Sequence, residues 1–384
     1  MKRNTEEELK KSLKEVKGAD PEALHEAAVY VQSLAAPPGS LGKLTNAAVQ
    51  LAGITGRVKN TVARRRVIVM CADNGVVEEG VSVTPRTVTL SQALNMTKHL
   101  TGMSSLAAHF GDEVEVVDIG IATPYEEQGV KIVQRRILRG TGNILKGPAM
   151  SRREALEAIL VGIERAGKAK EDGIDVIGAG EMGIGNTTTS SAVLAALTGL
   201  RVEEVTGRGG GLTDEAFARK KDVISRALEL HGLKRTSFCD AGPGPTREDP
   251  DPIDVIARVG GLDIAAMCGL CLGAAIYRIP VVIDGFISIT AALCAQRLCD
   301  KARDFMFPSI VSAEAGYMLA AKELGLDPWL HLNMRLGEGS GCPLAFQILE
   351  ASCALMNEMA TFEQAQIDDG YLAALRGTKN DPSE

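Results

Sequence analysis

A single carboxylate stands inside a glycine-rich stretch near the C-terminal end, Met334-Arg335-Leu336-Gly337-Glu338-Gly339-Ser340-Gly341. Glycine is used where the backbone approaches a ligand closely or adopts a positive φ. A carboxylate on such a loop is presented to whatever the loop surrounds, and it can take a proton from a bound group. A flexible surface turn with an incidental glutamate would explain the same residues.

A second glycine-rich stretch runs from Gly178 to Gly185 and matches the pattern G-x-G-x-x-G. It follows a predicted strand, Ile174–Ile177, and precedes a predicted helix, Thr187–Leu197. The Asn and Thr residues that follow the glycines are good helix N-caps. A dinucleotide site and a phosphate site both fit this pattern. Because the segment 201–205 makes a poor strand for the acidic residue that a dinucleotide site needs, we favour phosphate.

A third stretch, Gly207-Arg208-Gly209-Gly210-Gly211-Leu212, precedes a helix that carries Lys220. A lysine there could reach a phosphate as a point charge, or it could lie on a solvated helix face. Three glycine-rich loops in one chain predict the walls of a single pocket for an anionic ligand.

A fourth segment, residues 79–89, leads into a helix that contains Gln92. Pro85 suits the first turn of a helix, which makes Thr84 the predicted N-cap. Gln92 lies two turns further on and would by itself be an ordinary surface or half-buried amide.

The elements that must position these loops alternate along the chain. The predicted strands are Val67–Ala72, Val114–Ile119, Ile132–Ile137, Ile174–Ile177 and Pro280–Asp284. The predicted helices are 5–35, 40–53, Arg152–Glu171, Thr187–Leu197, Asp214–His231 and Leu262–Arg278, with further helix after Ala313. This alternation predicts an α/β fold with a parallel sheet and sites at the carboxyl ends of its strands. Residues 239–252 are predicted to form a surface loop, and 370–384 a loose tail.

Composition narrows the class of protein. The 384 residues carry a net charge of −7, with 4% aromatic residues and 41 glycines. No basic block indicates nucleic acid as a partner. The charged segment 1–17 does not resemble a signal peptide, and the longest apolar run, 264–277, is too short to span a bilayer. We therefore expect a cytoplasmic protein that does not bind membranes.

Cysteine and histidine give little indication of a metal site. The eight cysteines are scattered, which favours free thiols over disulfides. Cys268 and Cys271 form one C-x-x-C pair with no second pair and no nearby histidine, so a redox or zinc role stays an open alternative to plain packing. The five histidines have no metal-ligand spacing, and we expect no bound metal.

Taken together, the motifs resemble those of the nicotinate-nucleotide–dimethylbenzimidazole phosphoribosyltransferase family. The resemblance covers about residues 20–362 and rests on motifs in a fixed order: 37–44, 180–188, 207–212, 282–287, 312–314 and 334–341. It implies a Rossmann-like domain at 64–310 and a smaller helical domain built from 1–63 and 311–384. It also implies a homodimer that needs no cofactor.

The resemblance further implies the roles of individual residues. Glu338 matches the catalytic base, and Glu181, Gly183, Lys220 and Ser312 match positions that hold the ribose phosphate. Thr84 and Gln92 flank the aromatic base, against which we expect Met334 and Leu336 to pack. The family pattern has Ser at position 84 and His at position 74, where this chain has Thr and Asn. Both departures lie in the stretch leading to the base slot, which leaves the choice of base open.

The substrates that the resemblance implies are nicotinate mononucleotide and a benzimidazole-type base, with phenols or purines as alternatives. Two other classes of function remain. The G-x-G-x-x-G match would suit an NAD-dependent oxidoreductase, and the fold alone would suit a non-catalytic binding protein, although a decayed site has no need to keep the Glu338 carboxylate.

Overall fold

The computed structural model describes residues 5–234 and 249–372. Its centre is a six-stranded sheet in which every neighbouring pair is parallel. The strands are β1 Arg65–Ala72, β2 Glu113–Gly120, β3 Ile132–Gln134, β4 Val176–Met182, β5 Val281–Ile283 and β6 Met306–Pro308. Their order across the sheet is β3-β2-β1-β4-β5-β6. From β1 the chain proceeds outward to β2 and β3, and it then returns to form β4 on the other side of β1, followed by β5 and β6. The strand order thus reverses between β1 and β4, and α/β proteins bind ligands at such a topological switch point.

Helices cover the sheet. They are α1 Thr5–Lys14, α2 Pro21–Ser33, α3 Lys43–Thr55, α4 Val88–Met96, α5 Gly102–Phe110, α6 Arg152–Glu171, α7 Asn186–Thr198, α8 Val202–Val205, α9 Asp214–Leu230, α10 Pro252–Val259, α11 Leu262–Ile276, α12 Phe286–Leu298, α13 Tyr317–Leu324, α14 Cys342–Glu358 and α15 Phe362–Ala365. The predicted α/β class with a parallel sheet is confirmed. Strands buried on both faces explain the near-continuous apolar runs in the sequence.

The two chain ends pack against each other. A small apolar cluster joins Ala27, Leu34, Ala48, Ala52 and Met356, which come from α2, α3 and α14 and their ends. A bridge between Leu34 and Thr361 adds backbone pairing. A small domain built from both chain ends requires such a contact. The predicted boundaries of the two domains stay a prediction.

The predicted helix 5–35 is wrong as a single element. The structure has two helices, because Asp20 caps α2 by accepting hydrogen bonds from the amides of Glu22 and Ala23, and Pro21 begins the new helix. A proline at the first helical position cannot continue a preceding helix.

The glycine motif also lies differently from the prediction. Strand β4 continues through Met182, so Gly178 and Gly180 lie inside it rather than in a turn. A Cβ at Gly178 would lie 2.6 Å from Cβ of Cys342, and one at Gly180 would lie 2.8 Å from the carbonyl oxygen of Glu338. These glycines allow the segment 338–342 to pack on the strand. They therefore do not form the turn that the oxidoreductase interpretation assumes for the start of its motif.

Cys268 and Cys271 are both buried in α11, and burial raises the pKa of each thiol. In the described ranges, no group of three or more His, Cys, Asp or Glu side chains could hold a metal ion. Within the same ranges, no helix is both long and apolar enough to cross a membrane. Most of the predicted loop 239–252 and of the predicted tail lies outside the described residues.

Candidate active site

A cavity of about 270 Å³ opens at the carboxyl ends of β4 and β5. Its walls come from four segments that the sequence singled out: 81–92, 181–187, 208–212 and 335–338. Residues 285–287 and 310–314 complete it. The three glycine-rich loops thus share one pocket, as predicted from their composition. Of the proposed site residues, those that line the cavity are Thr84, Gln92, Glu181, Gly183, Ser312, Leu336 and Glu338.

Glu338 is held in a left-handed turn. Its φ is +63°, between Gly337 at +79° and Gly339 at +85°. A non-glycine residue in this region costs about 1–3 kcal/mol and persists only where its surroundings impose it. The side chain is 4% exposed, and yet it lines the cavity. The flanking glycines therefore permit the turn that directs this carboxylate inward.

Hydrogen-bond donors from α4 and α5 contact the Glu338 carboxylate. Gln92 Nε2 donates to Oε1 and the amide of Met103 donates to Oε2, both at 3.4 Å. Burial raises the pKa of Glu338, against the hydrogen bonds from Thr101 and Met103, which lower it. A raised pKa makes the carboxylate a stronger base and moves it toward neutral pH, where general bases work best.

Glu181 ends β4 beside this loop. Its Oε1 accepts a hydrogen bond from the amide of Glu338 at 3.1 Å, and its Oε2 accepts one from Asn186 Nδ2. Burial, with the negative charge of Asp263 second, raises the pKa of Glu181 to about 8. Glu181 therefore lines the cavity and also holds the backbone of Glu338.

The N-terminus of α7 faces the same cavity. Its N-cap is Gly185, at φ +94°, and no side chain caps it. The predicted Asn and Thr caps are wrong, because Asn186 turns its amide to Glu181 and Asp263. An uncapped helix N-terminus offers amide donors and a positive dipole end to an anion.

Lys220 does not reach the cavity wall. It is fully buried, and its Nζ donates to Thr187 Oγ1 and to the carbonyl oxygen of Gly207, each at 2.9 Å. Burial lowers the pKa of Lys220 to about 8. The lysine is thus neither on a solvated face nor on the wall. It joins the 207–211 loop to α7 from behind.

Ser312 and Glu314 line the wall next to that loop. Ser312 Oγ accepts a hydrogen bond from the amide of Glu314 at 3.4 Å. Oε2 of Glu314 is buried and has no hydrogen-bond partner within residues 5–234 and 249–372. A buried acceptor without a donor indicates a missing partner. Sequence reasoning noted Glu314 only as part of a motif and gave it no role.

The segment before α4 differs from its prediction. The helix begins at Val88 after Thr87, so Thr84 is not an N-cap. Thr84 lies on the cavity wall together with Val88 and Gln92. Of the two residues expected to pack on the base, Leu336 lines the cavity and Met334 does not. The carbonyl oxygen of Met334 instead accepts a hydrogen bond from the amide of Ala313 at 3.1 Å.

Asn74 also lies off the wall. It is fully buried, and its Oδ1 accepts a hydrogen bond from Thr189 Oγ1 at 3.4 Å. A Cβ at Gly185 would lie 3.4 Å from its Cβ. Of the two departures from the family pattern, only the one at Thr84 is therefore on the surface that a base could contact.

Comparisons with known proteins agree with this geometry. A family model described as a phosphoribosyltransferase matches residues 16–367. The nicotinate-nucleotide–dimethylbenzimidazole phosphoribosyltransferase of Clostridium perfringens (strain ATCC 13124) is 49% identical over 364 residues, which are 95% of this chain and 96% of that protein. The protein of the same name from Geobacter sp. (strain M21) is 43% identical over 359 residues, 94% of this chain and 99% of that protein.

A solved structure agrees as well. The crystal structure of the enzyme of that name from Thermus thermophilus superposes with a TM-score of 0.81 at 36% identity, covering 91% of this chain and all of that one. The chain is therefore an enzyme, a phosphoribosyltransferase, and it belongs to the nicotinate-nucleotide–dimethylbenzimidazole phosphoribosyltransferase family.

Proposed function

We propose that the enzyme transfers the phosphoribosyl group of nicotinate mononucleotide to 5,6-dimethylbenzimidazole or a related lower-ligand base, in cobamide nucleotide-loop assembly. The products are α-ribazole 5′-phosphate and nicotinate. Glu338 is the general base, and C1′ of the ribose is inverted. The observation that carries the proposal is the buried Glu338 carboxylate on the cavity wall, beside Thr84, Gln92 and Leu336.

The base must lose a proton as it reacts. One ring nitrogen of a benzimidazole attacks C1′ while the N–H at the other nitrogen becomes acidic. The Glu338 carboxylate takes that proton, with Gln92 Nε2 keeping it in place at 3.4 Å. A base of this kind contributes about 10²–10⁴-fold to the rate.

The leaving group needs no acid. In nicotinate mononucleotide C1′ carries a pyridinium, whose nitrogen takes the bonding electron pair and leaves as neutral pyridine nitrogen. Among the described residues, the side chains that line the cavity include no histidine, which suits a reaction without acid assistance. Attack and departure on opposite faces of C1′ change the β-glycoside into an α-glycoside, with charge developing on the sugar ring as in glycoside hydrolysis.

The phosphate and ribose would occupy the opposite wall. The uncapped N-terminus of α7 and the 208–211 glycine loop offer amide donors to the 5′-phosphate, with Ser312 alongside. Lys220 fixes the distance between that loop and α7 through Gly207 and Thr187. Glu314 lines the cavity, and its carboxylate would accept a hydrogen bond from a ribose hydroxyl.

One assay tests the proposal. The protein is incubated with nicotinate mononucleotide and 5,6-dimethylbenzimidazole, and free nicotinate and α-ribazole phosphate are followed by chromatography. Nicotinate riboside, which lacks the phosphate, is tested in parallel and should be a far poorer substrate. Failure to release nicotinate would refute the proposed reaction, and equal use of riboside and nucleotide would refute the phosphate site.

A further inference from the structure

Asp284 lies directly after β5, beneath the loop that carries Glu338. It is 2% exposed, and both of its carboxylate oxygens accept hydrogen bonds from that loop. Oδ2 accepts from the amide of Gly339 at 3.1 Å, and Oδ1 accepts from the amide of Gly341 at 2.6 Å. Burial raises the pKa of Asp284 to about 7, and the two amide hydrogen bonds oppose that rise because they favour the carboxylate. In the ionised form such charge-assisted bonds are about twice as strong as neutral ones.

The loop depends on such partners. Residues 337–339 are all left-handed. The amide of Ser340 bonds back to the carbonyl oxygen of Gly337 at 2.9 Å, and the amide of Cys342, at the start of α14, bonds to that of Gly339 at 3.0 Å. The amide of Glu338 goes to Glu181, at the end of β4. Asp284 therefore binds the amides on both sides of Ser340. Glu181 binds the amide of the proposed base itself.

We propose that Asp284 is a positioning residue for Glu338. By binding the amides of Gly339 and Gly341, it fixes the left-handed turn that directs the Glu338 carboxylate into the cavity. Asp284 does not line the cavity, so it would act on the reaction through Glu338 and not on the substrates. The inference rests on the proposed function, because it assumes that Glu338 is the general base.

The Asp284 carboxylate leaves no room for a side chain at position 341. Its φ is −77°, an ordinary value for any residue, so the backbone alone does not require glycine. A Cβ there would lie 2.7 Å from Asp284 Oδ1 and 2.6 Å from Ser309 Oγ. The absence of a side chain at 341 is thus explained by the approach of the Asp284 carboxylate.

The test is a double-mutant cycle on turnover with saturating substrates. Asp284→Asn replaces one acceptor oxygen by an NH₂ group that cannot accept. We expect kcat to fall about tenfold or more, since a misplacement of 1 Å can cost about 10²-fold. The KM for nicotinate mononucleotide should change by less than about threefold, because the phosphate and ribose are held by other loops.

The second arm separates positioning from general damage. In a Glu338→Gln background, Asp284→Asn should cost less than about twofold in kcat, because residues that act as a unit are not additive. Equal losses in both backgrounds, or an unchanged kcat in the single variant, would overturn the proposal. An unaffected Glu338→Gln variant would instead refute the proposed base, so the two failures are distinguishable.

A second variant covers the case in which Asp284→Asn does not fold. Gly341→Ala disturbs the contact between Asp284 and the loop without changing Asp284. We expect the same loss of kcat, and the same lack of additivity with Glu338→Gln. Ser309→Ala is the matched control. It removes a hydroxyl that donates to the carbonyl oxygens of Ile283 at 2.8 Å and of Asp284 at 3.5 Å, and it leaves the amide bonds of the Asp284 side chain intact. Its kcat should remain within about twofold of the parent value.

Discussion

Glu181 Oε1 accepts a hydrogen bond from the backbone amide of Glu338 at 3.1 Å. The two carboxylates belong to segments 157 residues apart, one at the end of a central strand and one on a loop near the C-terminus. The bond places the loop directly over the end of β4 and lets one buried carboxylate set the position of the other. A substitution at Glu181 would therefore affect both the wall of the cavity and the proposed base.

Glu338→Gln should separate binding from turnover. The amide keeps the shape of the side chain and loses its basicity, so we expect kcat to fall by at least about 10²-fold, the usual size of a general-base effect. Nucleotide affinity, measured by calorimetry, should be largely kept. Glu358→Gln, at an exposed position at the end of α14, is the control. Near-normal turnover of Glu338→Gln would refute the assignment.

The dependence of kcat on pH, compared between the parent enzyme and Glu338→Gln, tests the assignment of the base independently. A general base works in its deprotonated form, so kcat should rise with pH as Glu338 loses its proton. Burial raises the pKa of Glu338, so the rise should lie above the ordinary glutamate range. The rise should be absent from Glu338→Gln, and its persistence there would mean that another group is the base.

Glu181→Gln should change how stability depends on pH. Burial and Asp263 raise the pKa of Glu181 from 4.5 to about 8, so between these values the folded state holds a proton that the unfolded state has lost. The free energy of unfolding from this group must then fall as pH rises through that window. Glutamine, which does not titrate, should flatten the fall in urea denaturation at several pH values. An unchanged slope would contradict the prediction.

The sequence was sufficient for the class of fold and for the three glycine-rich loops of the cavity wall. The apolar run before Asp73 predicts β1, and glycine-rich loops at strand ends predict a pocket for an anion. These features depend on local spacing alone. The wall positions of Thr84 and Gln92 came only with the family resemblance, since the local pattern explains both residues without a ligand.

What could not be predicted depends on contacts distant in sequence. Gly178 lies inside β4, where a side chain would meet Cys342, and the buried Lys220 donates hydrogen bonds to Gly207 and Thr187. Local spacing shows that a lysine is near a glycine loop but not which side of the loop it occupies. The same holds for Met334, which is two residues from Leu336 and does not share its wall.

Gly183→Val should act on the fold before it acts on the ligand. A Cβ at Gly183 would overlap the carbonyl oxygen of Ala72 and lie 2.8 Å from Asp263 Oδ2. The backbone of β1 cannot move aside cheaply, so the variant should lose about 1–3 kcal/mol or more of stability. Thermal unfolding measures this, with Gly147→Ala as control because its Cβ would meet nothing within 4 Å. An unchanged melting temperature would refute the expectation.

Glu314→Ala should abolish discrimination between ribose and one deoxyribose. Glu314 lines the cavity, and a site whose carboxylate binds a substrate hydroxyl rejects an analogue without it. The ratio of kcat/KM for nicotinate mononucleotide to that for its 2′-deoxy or 3′-deoxy analogue is measured. For the analogue that lacks the hydroxyl bound by Glu314, this ratio should fall toward one in the variant. Glu323→Ala, on α13, is the control. Unchanged ratios for both analogues would place Glu314 outside the ribose site.

The choice of base should be broad among benzimidazoles. Besides Thr84, Gln92 and the Glu338 carboxylate, the cavity is lined by the aliphatic side chains of Val88, Ile184 and Leu336, and Leu336 is 54% exposed. A methyl group in an apolar pocket is worth only about 1–3 kcal/mol. Competition assays with benzimidazole, 5-methoxybenzimidazole and 5,6-dimethylbenzimidazole should therefore give kcat/KM values within about 200-fold of one another.

Gln92→Ala tests whether that wall is the base slot. Among the described residues the Gln92 side chain hydrogen-bonds Glu338 and Asn95, and not the α7 terminus or the 208–211 loop that would hold the nucleotide. The variant should lower kcat/KM for the base and leave the Kd for nicotinate mononucleotide unchanged. Ser91→Ala, at the exposed neighbouring position, should change neither value. A side chain in the base slot cannot weaken the binding of the nucleotide alone. A Gln92→Ala variant that loses nucleotide affinity but keeps its affinity for the base would therefore mean that the positions proposed for the two substrates are exchanged.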